Sequence, residues 1–158
     1  MMQCFFPQYA ARDIRTPLFI LNAAYDSWQI RNVMVPPGSD PYGGWKECRA
    51  DIRQCTTKQL QALHKFRMQF LTALGRPEKN PSRGLFINSC FAHCQTEQMA
   101  TWQFANSPTL GNSTIAEAVG TWFYDRNTFK KIDRPYPSNS SCHNNVYNPH
   151  EYSEEQQL

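Results

Sequence analysis

Two residues in this chain have side chains suited to proton transfer and a setting that could use it, Asp26 and His93. His93 lies in Phe86-Ile87-Asn88-Ser89-Cys90-Phe91-Ala92-His93-Cys94-Gln95-Thr96, between two cysteines and just past a short apolar run. That run, Gly84–Cys90, follows a loop and reads as a buried strand. Asp26 stands in the same relation to the apolar segment Thr16–Ala24. Ligands of open α/β sheets collect outside the carboxyl ends of the strands, where an imidazole on a loop can exchange protons near neutral pH. A carboxylate beside it would fix its tautomer and stabilise its protonated form, so that the ring could take a proton from a serine hydroxyl.

Each residue also has a plainer reading. An Asp after a strand is commonly a turn or cap residue, and a loop His is commonly a solvated or hydrogen-bonded imidazole. Two further chemistries draw on the same stretch. Cys90, His93 and Cys94 could ligate zinc, but thiolate pairs in zinc sites usually come with a second pair, and Cys48 and Cys55 are too widely spaced to supply it. Cys94 could act as a nucleophile for His93, but adjacent residues of an extended chain point to opposite sides. No metal and no cofactor is expected.

The elements that would have to position the pair are legible around it. Thr16–Ala24 is apolar throughout, as in a parallel strand covered on both faces. Thr56 and Gln59 form a capping box, and Leu60, Leu63, Phe66, Phe70, Leu71 and Leu74 recur at helical spacing before the stop signals Gly75 and Pro77. The helix has the length of a crossover between parallel strands. His64 falls between its core positions and is expected in solvent. Lys79–Arg83 reads as loop, as does Cys4–Arg15; Pro36–Gly44 is a surface loop by its Pro and Gly content. Glu97–Phe104 is expected to hold a short helix. Thr114 and Glu117 form a second capping box ahead of Ile115, Val119, Trp122 and Phe123. From Arg134 onward Pro, Ser, Asn and acidic residues predict a poorly ordered tail, with His143 and His150 in it and without a role. The division is thus a domain over 1–133 and a tail over 134–158.

Composition sets the class. Hydrophobic residues make up 41% and charged residues 18% of the 158, which favours a packed core over disorder. A net charge of +3 without a Lys/Arg cluster argues against a nucleic-acid partner. No apolar run is long enough to span a bilayer, and the first residues carry no signal-peptide pattern. The six cysteines, with close pairs Cys48/Cys55 and Cys90/Cys94, fit an oxidising compartment. Cys48 and Cys55 flank a polar segment before the capped helix and are predicted to pair with each other. The triplets headed by Asn112 and Asn139 are candidate glycosylation acceptors. Exported chemistry without an export signal implies that the chain lacks its front.

Strand, Asp26, helix, strand, His93 is also the closing order of an α/β-hydrolase triad, in which the acid follows one late strand and the His the last. At this point the sequence is similar to a known family. Cys4-Phe5-Phe6-Pro7-Gln8-Tyr9, Thr16–Ile30, Phe86–Thr96 and Trp122–Lys131 closely resemble the plant pectin acetylesterases, which are secreted α/β-hydrolase-like serine esterases distantly related to the carboxylesterase Notum. The resemblance runs to about Asn144. It implies the carboxyl-terminal part of a three-layer α/β-hydrolase-like fold with a mainly parallel sheet, Asp26 as triad acid, His93 as base, acetylated pectin as substrate, and a secreted, cell-wall location. Trp28 and Gln29 read as residues that support the pair, with substrate contacts left unassigned. Nothing in the sequence sets an oligomeric state.

The chain departs from the family in two places. The family's nucleophile lies in a Gly-x-Ser-x-Gly elbow upstream of its Cys-Phe-Phe-Pro segment, together with the oxyanion loop, and these 158 residues hold no such motif. The chain is therefore expected to be the carboxyl half of the enzyme, begun at an internal methionine or a truncated gene model, and inactive alone. The family also has Cys-Pro-Tyr-Pro-Cys shortly before a final Cys-His-Asn. Here Arg134-Pro135-Tyr136-Pro137-Ser138 has lost both cysteines and Cys142-His143-Asn144 remains. The loss implies at least one free thiol among Cys4, Cys90 and Cys94, with Cys4's partner upstream.

Overall fold

The computed structural model of the chain describes residues 7–75 and 82–145. Its centre is a parallel sheet in the order β1 (Leu18–Ala23), β2 (Arg83–Asn88), β3 (Lys130–Ile132). Leu18 pairs with Arg83 and Ala23 with Asn88, so the carboxyl ends of β1 and β2 finish level with each other. Gly84 sits opposite Phe19, and any Cβ there would run into the Phe19 ring at 2.1 Å. Only a glycine lets these two strands pair with Phe19 in place.

β2 is buried along its whole length, and its side chains divide between two cores. Leu85 and Ile87 join Tyr25, Ile30, Ile52 and Leu63 on one face, beneath α4 (Thr57–Ala73). Phe86 turns to the other face with Ile115, Ala118 and Phe129, beneath α6 (Ile115–Phe123). This alternation of apolar residues on both faces is what a strand between two helical layers requires. The result is a three-layer α/β arrangement. β1 was expected to be equally covered, yet Leu18–Asn22 are only half-buried. Among the described residues, β1 has a strand on one edge alone.

Both capping boxes form. Thr56 accepts from the Gln59 amide while Gln59 returns a bond to the Thr56 backbone, and Thr114 and Glu117 do the same. Gly75 follows α4 at φ +71°, the left-handed conformation that favours glycine after a helix; Pro77 lies outside the described residues. The segment Glu97–Phe104 contains the single turn α5 (Met99–Trp102).

Three expectations need correction, and one element was not anticipated at all. Within Cys4–Arg15, read as loop, Pro7–Asp13 is a helix (α1), which begins on a proline whose fixed φ and missing N–H suit a first turn. Ile30–Met34 winds as a π-helical turn that no periodicity announced. His64 is not left to solvent, because its Nδ1 lies 2.7 Å from the hydroxyl of fully buried Tyr25. The tail is the third correction. Its described part, 134–145, is tied to the domain through Cys142, Asn144, Asn145 and a bond from the Tyr136 amide to the Tyr25 hydroxyl. Polar composition misled here because these side chains bind backbone groups that the sheet leaves unpaired. No described helix is long and apolar enough to cross a membrane.

Candidate active site

β1 ends at Ala23, and the chain turns through Tyr25 and Asp26 into the short helix α2 (Ser27–Gln29). Asp26 caps that turn, since its Oδ1 accepts from the Gln29 amide at 2.7 Å. The second oxygen, Oδ2, is thereby aimed at the next loop. β2 ends at Asn88, and five residues later His93 brings Nδ1 to 2.8 Å from Asp26 Oδ2. The acid is 4% exposed, whereas the imidazole side chain keeps 40% of its surface. A buried carboxylate against Nδ1 holds the proton there, so Nε2 is left as an acceptor on the solvent side.

The two loops are fastened to one another and to the end of the chain. Ala24 donates to the Asn88 carbonyl and Ser27 to the Ala92 carbonyl, which joins the acid turn to the histidine loop. Cys90 is bridged to Cys142, 52 residues on. Beyond the bridge, Asn144 Oδ1 accepts from the Phe91 amide, Asn145 Oδ1 accepts from the His93 amide, and the Asn145 amide donates to the Phe91 carbonyl. The indole of Trp28 stacks beside the His93 ring, centroids 5.9 Å apart and planes 23° apart, and is half exposed. The recess in front of the pair measures about 200 Å³ and is lined by Asn22, Ala23, Asp26, His93, Cys94 and Gln95 among others. Asn22 and Ala23 belong to β1, so the recess lies at the carboxyl end of that strand.

The structure thus brings Asp26 and His93 together, and sets Trp28 and Gln29 beside them. Gln29 supports the acid by its backbone amide, a service any non-proline residue could supply. Asn144 and Asn145 were missed, having been assigned to the tail. A signal existed: a loop with exposed amides next to a bridging cysteine needs acceptors, and the asparagines follow that cysteine's partner directly.

The cysteines sort as follows. Cys48 and Cys55 pair with each other. Cys90 takes Cys142, and Cys94 is a free thiol; Cys4 lies outside the described residues. With Cys90 bridged, a Cys90–His93–Cys94 zinc set is not formed. Cys94 stands in the left-handed region at φ +53°, beside His93. The residue is exposed as a whole, yet partial burial of the thiol pushes its pKa up, and Glu97 adds to the effect. A thiol kept protonated at neutral pH is a poor nucleophile. Alkylation of Cys94 by iodoacetamide is therefore expected to reach its midpoint at a higher pH than a fully solvated cysteine. A midpoint at or below the ordinary cysteine value would remove this argument against Cys94.

The Cys90–Cys142 bridge invites a stability measurement. Closing a 52-residue separation constrains the unfolded chain by about 4 kcal/mol in the chain-entropy account. The double substitution C90A/C142A should lower the urea unfolding free energy by that order and release the histidine loop. A loss below about 1 kcal/mol would mean that the asparagine bonds hold the loop without it.

Comparison with known proteins gives a consistent pattern. The family model described as Pectinacetylesterase matches residues 1–143. Pectin acetylesterase 5 of Arabidopsis thaliana is 48% identical over 142 residues, covering 90% of this chain and 33% of that protein. Pectin acetylesterase 7 of the same plant is 49% identical over 140 residues, 88% of this chain and 36% of its own length. Pectin acetylesterase 4 is 46% identical over 140 residues, 89% and 34% respectively. The chain spans about a third of the length of these relatives. No solved structure matches it significantly.

Proposed function

The chain belongs to the pectinacetylesterase family, and we propose that it carries the acid and the base of a serine carboxylic-ester hydrolase acting on acetylated pectin. The observation that carries this reading is the 2.8 Å contact between Asp26 Oδ2 and His93 Nδ1, at the level ends of two adjacent parallel strands. In this reading a serine hydroxyl gives its proton to His93 Nε2 as its oxygen bonds to the acetyl carbonyl carbon. Asp26 stabilises the imidazolium. The tetrahedral intermediate then expels the sugar oxygen, which takes the proton back from His93. Water, activated in turn by His93, releases acetate.

In this reading the serine is supplied from outside residues 1–158, among which no Gly-x-Ser-x-Gly elbow occurs. The same observation favours a second reading of residues 1–158 taken by themselves, as a non-catalytic fragment. Two disulfides among the described residues support passage through an oxidising compartment.

The test is a chimera in which residues 1–143, the span matched by the family model, replace the corresponding segment of Arabidopsis pectin acetylesterase 5. Folded, secreted chimera should release acetate from acetylated pectin. Folded chimera that releases none, beside an active parent enzyme, would sink the reading.

A further inference from the structure

We propose that Asn112 is an N-glycan acceptor and that Asn139, although it heads the same kind of triplet, is closed to the sugar by its own hydrogen bonds. The two triplets, Asn112-Ser113-Thr114 and Asn139-Ser140-Ser141, are equivalent by sequence rule. Their surroundings are opposite.

Asn112 stands at the tip of a tight turn. Leu110 and Ser113 form an antiparallel bridge, and the two residues between them both have positive φ, Gly111 at +60° and Asn112 at +65°. Such a turn suits Gly and Asn and projects the second residue outward. Asn112 is exposed, and its side chain makes no hydrogen bond among the described residues. The turn is tied to β3 by a bond from Lys131 Nζ to the Gly111 carbonyl. In sheet order β3 is the strand farthest from β1. The turn that presents Asn112 thus lies on the β3 side of the sheet.

Asn139 is used up by the fold. Its Nδ2 carries two hydrogens, and they go to the Thr109 carbonyl at 2.9 Å and to Asp133 Oδ2 at 2.7 Å. Its Oδ1 accepts from the Ser141 amide and the Ser141 hydroxyl. Asp133 Oδ2 in turn accepts from the amide and hydroxyl of Ser89, directly after β2. Asn139 thus joins the segment ahead of Cys142 to the start of the loop that carries His93. A sugar on Nδ2 would replace one of those hydrogens and occupy the space of its acceptor. A chain modified there could not close this network, so folded, secreted protein should carry no sugar at Asn139.

The donor is a lipid-linked oligosaccharide diphosphate. The bond from Asn112 Nδ2 to C1 of the first sugar forms while the C1–O bond to the diphosphate breaks. The lipid diphosphate leaves with the bonding pair, and the amide nitrogen loses one proton to solvent.

The test secretes the full chain from plant cells behind an appended signal peptide, with the chimera in parallel. Supplying the leader makes the outcome independent of the esterase reading. Tryptic peptides are released from N-glycans enzymatically in heavy-oxygen water and mapped by mass. The expected result is the isotope tag at Asn112 and none at Asn139. The variant Asn112→Asp, which tolerates the same backbone, should migrate as one unglycosylated species. A tag at Asn139 in the secreted protein, an untagged Asn112, or glycan remaining on Asn112→Asp would each overturn the proposal.

Discussion

Replacing His93 by Ala in the active chimera should lower kcat for acetate release by about 10⁴-fold or more, with KM little changed. In the proposed mechanism the ring accepts the nucleophile's proton and returns it to the leaving sugar, and its Nε2 is the solvent-side acceptor that does both. Cys94 is held protonated by partial burial and by Glu97. Asp26→Asn should cost a similar factor by another route. The amide keeps the shape and the bond from the Gln29 amide, but it loses the charge that holds the proton on Nδ1 and stabilises the imidazolium. Because the two residues act as a unit, the double variant should be barely worse than either single one. Folding is monitored separately, since the contact lies at the surface end of the core. A folded single variant that keeps more than about a tenth of the parent rate would remove that residue from the machinery.

Residues 1–158 by themselves should show no hydrolysis that depends on His93 or Asp26. A hydroxyl nucleophile is barely reactive until a base is placed against it, and oxyanion donors are usually the largest single contribution to acyl-transfer catalysis. The proposed base, His93, has no Gly-x-Ser-x-Gly elbow beside it among these residues. Wild-type chain and its His93→Ala and Asp26→Ala variants should therefore release acetate at one common background rate. The edge of β1 that no described strand pairs should also draw copies together, as an unpaired row of N–H and C=O groups does. Sedimentation of the purified chain reports the association. Activity that both variants abolish would show that a nucleophile is present after all.

The sequence carried the site further than it carried the scaffold's fastenings. β1, β2 and α4 were legible because long apolar runs and a helical repeat leave few alternatives, and a capping box marks its own first residue. Asp26 and His93 were legible because each follows a strand directly. α1 was missed because Pro7 reads equally well as a breaker or as a first helical residue, and only packing decides. The π-helical turn at Ile30–Met34 has no period of its own to detect. His64 was misplaced because its partner, the Tyr25 hydroxyl, comes from 39 residues away. Cys90's choice of Cys142 over Cys94 is likewise a fact of three dimensions, which spacing alone left open.

The fastening of the histidine loop by Cys142, Asn144 and Asn145 also sets a clock. These residues are made after His93, and Cys142 follows Cys90 by 52 positions. At ordinary rates of synthesis that gap lasts about 3 to 10 s, whereas strands and helices form within about a millisecond of emerging. For those seconds the nascent chain can pair β1 with β2 and form its acid turn while His93 hangs on an unfastened loop. Chains released before residue 142 would never leave that state. Within residues 1–145 the loop that sets His93 against Asp26 is thus fastened last, once Asn144 and Asn145 have been made.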